Sequence, residues 1–117
     1  MKIGISAKGK NREDLLDLHF GRCDYFQVFD SENNTIKVLE NKGISASGGA
    51  GVVAANQIID EEVDVVITGS LGPNAFKLIS KAGISPYKCE ELPIKDVLIK
   101  YRNNELEEIK SEGKTNK

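Results

Sequence analysis

The sequence predicts an α/β domain: a mixed five-stranded sheet of order 3-2-1-4-5, strand two antiparallel, with helices on both faces. Three observations carry this expectation. The runs "YFQVFD" and "TIKVLE" are β-rich and lie on either side of a short turn. After "NKGISASGGAG" the apolar period changes from strand-like to helical. From there to Tyr101, helical stripes alternate with apolar strands, punctuated by proline and glycine. Right-handed crossovers combined with one hairpin then select the strand order.

The elements follow in turn. Ile3 and Ile5 alternate with small or polar neighbours, which places strand one at about residues 2–6. A polar connection covers residues 7–22. The turn Ser31-Glu32-Asn33-Asn34 joins strands two and three into a hairpin, because asparagine tolerates left-handed backbone angles. Helix one is expected at about 50–61, with Val52, Ala55 and Ile59 as its stripe and Val53 and Ile58 beside it. "VDVVIT" is continuously apolar, as a central strand covered on both faces requires. Helix two spans about 73–82, opened by Pro73 and closed by Gly83. "ISPYKC" is strand five, and Pro86, which cannot donate to a ladder, places it at a sheet edge. Pro93 opens helix three, in which Ile94, Val97, Leu98 and Tyr101 share a face. The domain is expected to end at residue 103, and 104–117 to form a polar, frayed tail.

With 117 residues the chain makes one domain with a real core. Sixteen basic against eighteen acidic residues leave a net charge of -2, which argues against nucleic-acid binding. No apolar run approaches the roughly 20 residues that span a bilayer, so no membrane association is expected. The first residues lack the apolar stretch of a signal peptide, which makes the cytoplasm the expected location. The two cysteines are then expected to be thiols. Cys23 and Cys89 belong to strands three positions apart, roughly 14 Å at about 4.8 Å per strand, too far for a disulfide or for shared ligation of one ion.

This topology gathers chemistry at one rim. Open α/β sheets bind ligands at the carboxyl ends of their parallel strands. The stretch "HFGRC", the loop "SGGAG" and "GSLGP" should converge there. His19, the sole histidine, could ligate a metal or could bond a backbone carbonyl. Arg22 could pair with an anion or pin its own loop. Phe20 and Gly21 read as a core plug and a tight turn. Cys23 could be a soft metal ligand beside His19, or a small buried hydrophobe. Ser47, Gly48, Gly49, Ala50 and Gly51 lead into a helix N-terminus, where N–H groups attract anions; the same glycines could instead serve close packing. They form neither a Walker A nor a GxGxxG pattern. A nuclease would need clustered carboxylates, but Asp30 and Asp64 are expected at the far end of the sheet. No Ser/His/Asp set is visible either.

"HFGRCDYFQVFD" and "SGGAGVVAANQIIDEEVDVVITGSLGPNAFKLISKAGI" together resemble the dinitrogenase iron–molybdenum cofactor biosynthesis domain family, over about residues 1–101. The resemblance implies a ribonuclease H-like three-layer fold. It also implies a non-enzymatic role in binding or carrying an iron–sulfur cluster, iron–molybdenum cofactor or precursor between metallocofactor donor and acceptor proteins. Family members more often carry a small residue at position 23, where this chain has cysteine. A small-anion or nucleotide-binding regulatory module, or an interaction domain without metal, are the competing expectations.

Overall fold

The computed structural model describes residues 1–111. The elements run β1 (Lys2–Ala7), β2 (Tyr25–Asp30), β3 (Thr35–Glu40), α1 (Ala50–Asp60), β4 (Val65–Thr68), α2 (Pro73–Lys81), β5 (Ser85–Lys88), α3 (Ile94–Arg102) and β6 (Glu107–Glu108). Short 3₁₀ turns occupy Phe20–Arg22 and Lys42–Ser45. The sheet order is β3-β2-β1-β4-β5-β6. β1, β4 and β5 are parallel, while β2 runs against both β1 and β3. The five expected strands thus appear in the expected order, and a sixth is added.

Period-two alternation sorts the side chains onto two faces. Phe26, Val28 and Val66 pack with Ala54, Ala55 and Ile58 of α1 and Ala75 and Ile79 of α2. Ile3, Ile5, Phe29, Val65 and Ile67 pack with Val97 and Leu98 of α3. Helix α1 differs from the expected stripe. Ala50, Ala54, Ala55 and Ile58 are its buried residues, and Val52, Val53 and Ile59 are only half-buried. The helix lies close to its neighbours, so three alanines join Ile58 in the seam while the valines stay at its margin.

Local chemistry closes the elements where expected. Asp30 Oδ1 accepts the N–H groups of Glu32 and Asn33, and Asn34 takes a φ of 54°. After α2, Gly83 adopts a φ of 77°; its N–H donates to Ser80 O, and that of Ile84 donates to Ile79 O. This Schellman arrangement satisfies the last carbonyls of the helix.

Strand five is not an edge. β6 pairs antiparallel with it, Tyr87 opposite Glu108 and Lys88 opposite Glu107. Pro86 removes one donor but keeps its carbonyl, which accepts Ile109 N–H at 2.8 Å. Leu106 and Ile109 pack against opposite core clusters. The fold therefore extends beyond the expected boundary at 103, because two isolated apolar residues suffice to anchor a short strand. The remainder of the expected tail, 112–117, lies outside the described residues.

Candidate functional site

Three segments leave the same end of the sheet and meet. The first follows Asp17, whose N–H donates to Ser6 O at 2.9 Å. Ser6 Oγ lies 2.7 Å from both Asp17 O and Thr68 Oγ1, so a buried hydroxyl pair ties the ends of β1 and β4 to this segment. His19 then bridges Ser70 in parallel fashion. The approach is close enough that a Cβ on Gly69 would sit 2.6 Å from Leu18 O. Phe20 plugs the core, its ring centroid 5.2 Å from that of Phe26. Gly21 meets α1 backbone to backbone, and a Cβ there would stand 2.9 Å from Gly51 N.

Asn41 locks these turns together and is a residue the sequence reading missed. Buried at the end of β3, it donates from Nδ2 to Gly21 O at 3.1 Å and Cys23 O at 2.9 Å. Its Oδ1 accepts Gly43 N–H at 2.8 Å. The signal was present in "NKG", since asparagine two residues before glycine favours such an Asx turn.

The rim that results presents few side chains. The His19 imidazole is 78% exposed, with Nδ1 3.3 Å from Asp17 Oδ1. The same oxygen accepts His19 N–H at 2.9 Å, so Asp17 orients both ring and backbone. Arg22 Nη1 donates to Ala46 O at 3.3 Å and pins the 42–46 turn. Ser47, Gly48 and Gly49 are exposed; Gly49 caps α1 with a φ of 68°, an angle glycine adopts without strain. Ala50 is buried and Gly51 packs under Gly21, which gives the glycines a packing role there. Among the described residues, the N–H groups of Ala50, Gly51 and Val52 have no acceptor. A cleft of about 180 Å³ lies between this helix start and that of α2, lined by Gly49, Gly51, Val52 and Gly72–Ala75.

The cysteines sit elsewhere. Cys23 is fully buried in the α1 side of the core, its Sγ 3.4 Å from Phe20 O. Cys23 thus takes the place of a small buried hydrophobe, the alternative its sequence position left open: its sulfur is sealed inside while the His19 imidazole stands in water. Cys89 is buried on the α3 face. No group of three His, Cys, Asp or Glu side chains is placed to hold a metal among the described residues. At the opposite end of the sheet, Asp64 Oδ2 accepts Lys2 N–H at 2.9 Å and Asp30 caps its hairpin, so neither carboxylate reaches the rim.

Burial pushes the Cys23 thiol up to about 12 from its ordinary value near 9. The raised value means that the folded chain holds this proton where the unfolded chain has lost it. The associated stability is complete below about pH 9 and disappears as pH rises towards 12. Urea denaturation at a series of pH values should show this alkaline decline. It should be shallower in Cys23→Ser, and equal slopes would refute the assignment.

The chain is similar to known proteins in sequence and in fold. An uncharacterised protein of Methanocaldococcus jannaschii is 30% identical over 112 residues, 93% of this chain and 92% of that protein. The apo form of the orange protein from Desulfovibrio gigas superposes with a TM-score of 0.91 at 27% identity, covering 97% of this chain and 96% of that one. A Thermotoga protein described as NifB-like shares the fold, with a TM-score of 0.85 at 24% identity and 98% coverage of both chains. No helix of the described residues is long and apolar enough to cross a membrane. Residues 1–104 match the family model described as dinitrogenase iron-molybdenum cofactor, and the chain belongs to that family.

Proposed function

We propose that the chain is a non-catalytic carrier that takes up an anionic iron–sulfur or iron–molybdenum type cluster, or a precursor, and passes it from a donor protein to an acceptor. The supporting observation is the meeting of His19, Arg22 and the start of α1 at one rim, in a chain of this family. Ligation by protein thiolates does not fit, because both cysteines are buried. Outer contacts do fit. The exposed imidazole, the guanidinium and the unpaired N–H groups of Ala50–Val52 are all donors suited to a sulfide-rich anion. A cargo held mainly by such contacts can be released without breaking several metal–ligand bonds.

The test is an anaerobic titration with a small-thiol-ligated iron–sulfur cluster, followed by visible absorbance and by bound iron after desalting. Wild type should retain stoichiometric iron. His19→Ala should bind about tenfold more weakly, the loss of one charge-assisted contact. Absence of bound iron in wild type, or equal binding by His19→Ala and Arg22→Ala, would refute the carrier role. The cleft between the starts of α1 and α2 favours a second reading, a phosphate or nucleotide site. Thermal stabilisation by inorganic phosphate without cluster binding would select it.

A further inference from the structure

Asp17 is fixed more firmly than the ring it faces. Its N–H donates to Ser6 O at 2.9 Å, and its carbonyl accepts Ser6 Oγ at 2.7 Å. Ser6 Oγ also lies 2.7 Å from Thr68 Oγ1, so two neighbouring parallel strands, β1 and β4, set where Asp17 stands. Its side chain is only 14% exposed. One carboxylate oxygen, Oδ1, meets both the main-chain N–H of His19 at 2.9 Å and the ring Nδ1 at 3.3 Å. His19 is also bridged to Ser70, so the main chain that carries the ring has little freedom of its own.

An Asx turn needs only the bond to His19 N–H. The contact with Nδ1 has a further consequence. A neutral imidazole carries its one proton on either Nδ1 or Nε2, and the group facing each nitrogen decides which. A lone pair on Nδ1 would be repelled by a carboxylate that burial deprives of most of its water, whereas a proton there is attracted. The Nδ1–H form therefore prevails, and the unshared pair is left on Nε2 of a side chain that is 78% exposed. Histidines that coordinate metals are commonly held in this way, a carboxylate on one ring nitrogen and the metal on the other.

We propose that Asp17 is the positioning residue of the rim: it holds the His19 imidazole as its Nδ1–H tautomer and so presents Nε2 as a single ligand for a metal atom of the cargo. The proposal rests on the carrier reading above and adds one coordinate bond to the outer contacts of Arg22 and the start of α1. It also narrows the cargo. Among the described residues no group of three His, Cys, Asp or Glu side chains could hold a bare ion, so the cargo brings its other ligands with it, as a preformed cluster does.

His19 is the sole histidine, so its two ring nitrogens are unambiguous in long-range proton–nitrogen correlation spectra of the isotope-labelled full chain without cargo. At a pH where the ring is neutral, wild type should show Nδ1 protonated and Nε2 bare. Asp17→Ala should move the balance towards the Nε2–H form that free histidine favours in water. Asp17→Asn keeps an acceptor oxygen for His19 N–H without the charge; it should retain the fold, judged by circular dichroism, and fall between the two. In the anaerobic titration with the small-thiol-ligated iron–sulfur cluster, Asp17→Ala should bind about tenfold more weakly than wild type. The double variant Asp17→Ala/His19→Ala should bind no more weakly than His19→Ala, because Asp17 acts through the ring. A wild type with Nε2–H as its main tautomer, an unchanged tautomer in both Asp17 variants, or a double variant weaker than His19→Ala would overturn the proposal. No retained iron in a wild type that shows the Nδ1–H form would refute the carrier reading, and with it Nε2 as a cargo ligand, while the hold of Asp17 on the ring would stand.

Discussion

Asn41→Ala is expected to lose about 2–4 kcal/mol of stability, because the change orphans three main-chain groups. Gly21 O, Cys23 O and Gly43 N–H all depend on this one amide. The residue is 2% exposed, so water cannot replace it without opening the turns. For a domain of this size the loss corresponds to a fall in melting temperature of roughly 10 °C or more. Asn41→Asp keeps the acceptor for Gly43 but has no amide donor, and should be nearly as damaging. The cluster binding proposed above should weaken in both variants, because Asn41 holds the Phe20–Arg22 and Lys42–Ser45 turns in register beneath His19 and Arg22. A loss of less than 1 kcal/mol in Asn41→Ala, measured by urea denaturation, would show that the turns hold together without it.

Gly69→Ala should follow closely, at about 2–3 kcal/mol from overpacking. The added Cβ would stand 2.6 Å from Leu18 O, 2.7 Å from Leu18 Cα and 2.8 Å from Leu18 Cβ. Two of these are backbone atoms that cannot rotate aside, so His19 and Ser70 must move apart. Gly72→Ala is the control. A Cβ there meets nothing within 4 Å and the φ of -69° suits any residue, so the change should stay within about 1 kcal/mol of wild type. Equal thermal stability of the two variants would mean that the close approach of Leu18 to Gly69 does not constrain the rim.

Much of the fold was legible because it depends on short-range chemistry. Pro73 and Gly83 bound α2, Asn34 turns the hairpin, and the apolar run Val65–Ile67 is covered on both faces. The convergence of "HFGR", "SGGAG" and "GSLGP" was legible too, since strand direction alone sends all three to one rim. Other features were not. The anchoring of β6 rests on Leu106 and Ile109 meeting two clusters built from residues far away in sequence. On α1 the expected Ala55 and Ile58 are buried, but closeness to Gly21 and to α2 brings in Ala50 and Ala54 where Val52, Val53 and Ile59 were expected.

By itself, then, the sequence determined which segments become strands and helices, the order in which they pair and the end at which the glycine-rich loops gather. Local propensity, hydrophobic period and connection handedness are enough for that. Only the tertiary structure decided which rim groups face water. His19 stands out because Asp17 holds its ring away from the core, and Cys23 four residues later is sealed beneath Phe20 and Asn41. Neighbours in a chain can fall on opposite sides of a solvent boundary, and that boundary is drawn by packing between distant segments rather than by any residue's own type.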